Sequence, residues 1–153
     1  MLKIFGYQHI IYLAVTLIAT AAIIVFIKWK SNKEKLKGTD DKFLRTVALI
    51  SGLVLLAAIV TNRISLAVYR EKPIELIPNT FCGATSFFFS LVLIFGKRNN
   101  KALQFIALVA VFSGTASIFY PDFIGQNESF FYLPTISGLF HHSMQVYCWL
   151  MVL

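Results

Sequence analysis

Charge is scarce in this sequence. Of its 153 residues only 14% are charged, against 58% hydrophobic and 15% aromatic, and the mean hydropathy is +0.73. Soluble domains carry about a quarter charged residues, so these proportions exclude one and indicate a membrane protein. Cysteine is scarce too. The two present, Cys82 and Cys148, both lie inside apolar segments and offer no secreted disulfide framework. Proline occurs four times and glycine eight times, without the clustering that marks a linker, and no internal repeat is present. A cleavable signal is lacking: Ala19-Thr20-Ala21 mimics a cleavage site, but the apolar run continues to Ile27, longer than a signal segment runs. The first segment is therefore expected to be a retained anchor.

The surplus of seven positive charges does not indicate a nucleic-acid partner, because the basic residues fall in short segments between long apolar runs. A bilayer core of about 30 Å needs about 20 helical residues, and five stretches qualify. They predict an all-α, polytopic transmembrane helical bundle forming a single domain over residues 1–153, with helices near 9–27, 43–69, 78–96, 102–120 and 134–153. Pro78 does not suit a helix interior, so the third helix starts near it, with Pro78 in its first turn or Asn79 as its cap. Cys82 then falls in the first or second turn. Ala110 and Gly114 in the fourth segment have small-xxx-small spacing. Phe130-Phe131-Tyr132, before the fifth, reads as an interfacial aromatic belt. That fifth segment reaches Leu153 after about 20 residues from Pro134, without a cationic anchor; the last helix is fully inserted or the chain is shortened.

Lys28, Lys30, Lys33, Lys35, Lys37, Lys42 and Arg45 lie between the first and second segments, and Lys97, Arg98 and Lys101 between the third and fourth. Those two loops belong in the cytoplasm, which leaves the N-terminus on the non-cytoplasmic side of the cell membrane, with outer loops near 71–75 and 121–129. Membrane lipids are the expected partners; no feature specifies a protein partner.

Polar side chains at membrane depth are costly and usually face the bundle interior. At a rise of about 1.5 Å per residue, Cys82 lies roughly 5 to 8 Å below the outer end of its helix, Arg63 roughly 9 Å and His141 and His142 roughly 10 to 12 Å. His9 opens the first helix on the same side. Taken alone, Cys82 is more often an inert small hydrophobe, Arg63 a snorkelling cation and His9 an interfacial residue. Two adjacent histidines at depth have no such simple explanation. Gln145, four residues after His141 and three after His142, is within reach to orient either ring. A histidine accepting the Cys82 proton makes a thiolate nucleophile, with backbone N–H groups or Arg63 supporting an oxyanion. Asn79 and His141 are further candidates for binding support. Lipid ester carbonyls lie at a similar depth, so acyl transfer through a Cys82 thioester is the chemistry expected.

The pattern YQHIIYL, LIPNTFCGATSFFFS, FYPDF and GLFHHSMQVY resembles the YwaF-like family of multi-pass membrane proteins over most of the chain. That resemblance implies a polytopic bundle. It also implies kinship with animal ether-phospholipid acyltransferases, in which a cysteine and a histidine resemble Cys82 and His142 in placement. Two departures stand out: such relatives usually continue past the histidine helix, and many carry a histidine shortly before the cysteine, where this chain has Asn79-Thr80-Phe81.

Two further readings compete. In one, Arg63, Asn62 and the histidines line the cavity of a transport or small-molecule-binding module. In the other, His9 and a fifth-helix histidine ligate a haem, or Cys82, Cys148 and His141 hold a metal; His9 is too shallow to share a haem with His142, and no cofactor or metal is expected. His142 carries the general-base expectation, and His141 that of a helix-to-helix hydrogen bond.

Overall fold

The computed structural model describes residues 6–97, 100–121 and 130–149. Five α-helices form among them: α1 (Tyr7–Lys35), α2 (Asp40–Arg70), α3 (Phe81–Phe95), α4 (Lys101–Phe119) and α5 (Leu133–Trp149). A single 3-10 turn, Pro73–Leu76, precedes α3. The described residues contain no strand. Three helices are long and apolar enough to cross a membrane, α1, α2 from Asp41 and α4, and Phe81–Phe95 is a shorter apolar helix. The chain is thus an integral membrane protein. Most of the expected outer loop, residues 122–129, lies outside the described residues, as do Arg98 and residues 150–153.

The boundaries differ from the sequence expectation where charge had been read as loop. α1 continues for two turns beyond Ile27, because Lys30 and Glu34 pair at i,i+4 across 3.2 Å and Lys33 lies 4.0 Å over the Trp29 ring. The turn to α2 is therefore only Leu36–Thr39. Gly38, at φ +68°, supplies its left-handed residue, which costs a glycine little. At the other end of α2 that conformation falls on Glu71, φ 54°, a mild strain that turns the chain towards Pro73.

α2, α3, α4 and α5 pack together around Leu55, Phe89, Leu93, Leu103, Ala107, Ala110 and Cys148. α1 rests lightly on α2 and α5. Its large side chains Ile11, Val15, Leu17, Ile18 and Val25 are exposed, which suits contact with lipid tails. Its two buried residues are His9 and Thr16. His9 Nε2 meets the Ile118 carbonyl of α4 at 2.8 Å, and the Tyr12 hydroxyl bonds Ser143 of α5. Lipid is as apolar as leucine, so such hydrogen bonds and close packing, rather than hydrophobic gain, attach α1.

Two glycines set the helix spacing. A Cβ on Gly52 of α2 would lie 2.9 Å from both Leu93 Cβ and Ile94 Cγ1 of α3. A Cβ on Gly114 of α4 would lie 2.7 Å from the His142 carbonyl and 3.0 Å from Gln145 Cβ of α5. Arg45 of α2 donates to the Leu93 and Gly96 carbonyls at 2.9 and 3.0 Å and also to that of Ile94. It thereby satisfies the C-terminal carbonyls of α3, where a cation complements the dipole.

Gly114→Ala is expected to destabilise the protein by about 1 to 3 kcal/mol, since the obstructing atom is backbone rather than a flexible side-chain tip. Equilibrium unfolding of the purified protein in mixed micelles measures this. Wild-type stability in the variant would mean that α4 and α5 separate freely.

Candidate active site

The helices alternate in direction, so the start of α1, the end of α2, the start of α3, the end of α4 and the start of α5 share one end of the bundle. With 15 residues, α3 extends about 22 Å, short of the about 30 Å of a hydrocarbon core. The residues before it, Ile77 to Thr80, are non-helical. Such backbone is tolerated at membrane depth only where protein or a wet cavity covers it.

Thr80 caps α3, accepting from the Gly83 N–H at 3.1 Å. This corrects the expectation of Pro78 in the first turn or Asn79 as cap. The Asn79 N–H instead turns back onto the Ile77 carbonyl at 2.7 Å, its residue is exposed, and it does not line the cavity described next. Cys82 occupies the first turn, as expected, in contact with Ser117 Oγ of α4 at 3.3 Å.

A cavity of about 280 Å³ opens at this end, lined by Arg63, Cys82, Ser117, His141 and His142, with Asn62, Thr80, Arg70 and Glu75 among its other walls. Arg70 and Glu75 form an ion pair at 3.0 Å. Of the residues singled out from sequence, Arg63, Cys82 and both histidines therefore meet on one cavity. His9 does not, being directed to α4.

Gln145, fully buried, supports this wall from behind. Its Nε2 donates to the Cys82 carbonyl at 3.3 Å, which leaves Oε1 to accept from His142 Nδ1 at 3.1 Å. The amide orientation thus assigns the proton of neutral His142 to Nδ1 and leaves Nε2 as the basic nitrogen. Gln145 had been expected to reach either ring; the structure selects His142. His141 departs from expectation: its Nδ1 meets the Ser137 carbonyl of its own helix at 3.3 Å rather than another helix. The two rings lie 3.9 Å apart between centroids, although neighbouring helical positions diverge by about 100°.

Ser117, Thr80 and Glu75 were missed. Ser117 shares the small-residue face of Ala110 and Gly114 at i+7 and i+3, and that spacing was its one visible signal. Among the described residues no three His, Cys, Asp or Glu side chains gather as metal donors.

Cys82 is half-buried on the cavity, whereas Cys148 is fully buried in the core. A membrane-permeant maleimide is expected to label one thiol per folded chain, at Cys82, with Cys82→Ser abolishing the label; peptide mapping reads the site. Equal labelling of both thiols would contradict this packing.

Residues 4–153 match the profile of the TMEM164 family. No curated protein and no solved structure shows a significant match. The family match covers all five helices and agrees with the three that are long and apolar enough to cross a membrane, and the chain accordingly belongs to the TMEM164 family of transmembrane proteins.

Proposed function

We propose that the protein is a membrane-lipid acyltransferase in which Cys82 carries the acyl group as a thioester and His142 serves as general base. The observation that carries this reading is the Gln145 bridge, which joins the Cys82 backbone to His142 and leaves His142 Nε2 unprotonated on the cavity that Cys82 also lines. His142 Nε2 accepts the Cys82 Sγ proton, and the thiolate attacks the ester carbonyl of a phospholipid. The tetrahedral adduct collapses with cleavage of the ester C–O bond, and the leaving alkoxide takes the proton back from His142. An acceptor hydroxyl, deprotonated by the same nitrogen, then attacks the thioester and releases Cys82.

The N–H groups of Phe81 and Cys82, in the first turn of α3, have no carbonyl partner within the helix and suit an oxyanion. Ser117 holds the sulfur in place. The resemblance to YwaF-like proteins supports the same pair of residues. In this reading the protein lies in the cell membrane with its N-terminus on the non-cytoplasmic side, a placement the lysines closing α1 support.

A second reading, a small-molecule-binding or transport module, draws on one observation: buried Arg63 lines the cavity with two of its nitrogens unused. It requires Cys82→Ser to retain function.

Incubation of the purified chain with a phospholipid bearing a labelled acyl chain is expected to give a hydroxylamine-sensitive adduct, absent in Cys82→Ala. His142→Ala is expected to slow its formation about 10²-fold or more, with Gln145→Leu intermediate. A folded wild-type protein that forms no adduct would sink the proposal.

A further inference from the structure

Arg63 is 8% exposed, and its side chain donates from Nη2 to Asn62 Oδ1 at 3.0 Å. Nε and Nη1 are buried without a partner. Among the described residues no carboxylate pairs with Arg63, and the nearby Glu75 is taken by Arg70. A guanidinium held away from water without an anionic partner is costly, and that cost is offset when an anion occupies the site. Nε and a terminal nitrogen form the edge that binds two anionic oxygens side by side.

The position of Arg63 narrows the anion further. Besides the polar cavity, Arg63 lines a second, apolar cleft of about 140 Å³, walled by Ile59, Val60, Ile64, Leu76, Pro78 and Phe87. Val60, Ile64 and Leu76 are 43%, 50% and 52% exposed, so this cleft opens sideways, onto the face that meets lipid tails. Arg63 stands in the wall that both spaces share, with its Cζ 3.6 Å from where a Cβ on Gly83 would sit, beside Cys82. The cavity also holds His141 Nε2, buried and without a partner; with the proton on Nδ1 towards Ser137, this nitrogen is a vacant acceptor. Two unused donors and an unused acceptor around one space indicate that an occupant completes the polar inventory.

We propose that Arg63 is the seat for the phosphodiester of a glycerophospholipid, which enters from the side between α2 and the 76–87 segment with a hydrocarbon chain in the apolar cleft. The choice of phosphodiester over fatty-acid carboxylate rests on the acyl-transfer reading. A carboxylate bound at Arg63 would commit its only carbonyl to the seat. A phosphodiester leaves an ester carbonyl a few bonds away, free to reach Cys82.

The test uses the full chain in an uncharged maltoside detergent, in the Cys82→Ala background so that no turnover occurs. The probe is dihexanoylphosphatidylcholine, followed by ³¹P line broadening. Arg63→Gln is expected to weaken binding at least tenfold. Arg63→Lys, which keeps the charge but loses the fork, should fall between, and Ile64→Trp in the cleft should weaken binding with Arg63 intact. Dihexanoylglycerol, which lacks phosphate, and inorganic phosphate, which lacks a chain, should each displace the probe poorly. Unchanged affinity in Arg63→Gln, or displacement by dihexanoylglycerol or hexanoate as effective as by the phospholipid, would overturn the proposal. If Arg63→Gln does not fold, Arg63→Lys and Ile64→Trp carry the comparison, and wild-type affinity in both overturns it. Arg63-dependent binding without a Cys82 adduct would leave the seat standing and remove acyl transfer. An adduct formed equally well by Arg63→Gln at sub-saturating lipid would do the reverse.

Discussion

Gln145 makes one hydrogen bond to α3 and one within α5, in a space that α4 approaches closely. The glycine at position 114 permits that approach: a Cβ there would press on the His142 carbonyl and on Gln145 itself. A carboxamide has a donor and an acceptor at opposite corners, so fixing one bond fixes the other. The Cys82 carbonyl takes the donor, and His142 must then supply a proton. The Cys82 carbonyl on α3 thereby determines, through Gln145, which nitrogen of His142 is basic. Cys82, Gly114, Gln145 and His142 form one unit across three helices.

Burial in this protein runs opposite to that of a soluble bundle. Histidine, glutamine and serine are enclosed, while phenylalanines such as Phe88, Phe95, Phe105 and Phe112 are exposed. Lipid makes the exposure cheap and makes every unmet polar group expensive. Small serines at helix contacts answer both demands, admitting close backbones and returning their hydroxyls to their own helix, as Ser90 does to Phe87 and Ser143 to Leu139. Ser86 and Ser113 are buried with unmet hydroxyls, but among the described residues the unused nitrogens of Arg63 and His141 are the ones that gather on a single cavity.

Hydropathy was sufficient to find the helices, because a run of apolar residues long enough to cross lipid has few other uses. It failed where the polar part of a helix continues: the lysine-rich end of α1 is helical through Glu34 pairing, which mean hydropathy does not register. The cap of α3 was misassigned because Pro78, Asn79 and Thr80 all carry helix-start signals, and only the hydroxyl–amide geometry at Gly83 separates them. At the site, the i+3 relation of Gln145 to His142 was legible, yet the choice between the two histidines required the Cys82 carbonyl, 63 residues away in sequence. The contact of Ser117 with Cys82 was not legible for the same reason, since no spacing rule connects a serine on α4 to a cysteine on α3.

The polar bonds that fasten α1 also bear on how the protein is made. His9 and Tyr12 find their partners 109 and 131 residues further along the chain, on α4 and α5, which are synthesised well after α1. The first helix must therefore partition into lipid on its own hydropathy, carrying a histidine and a tyrosine that have nothing yet to bind. α1 meets α2 first, and its two polar bonds close only once α4 and α5 have crossed. A defect in either of those helices would leave α1 inserted with these polar side chains unmet, a species recognisable to membrane quality control.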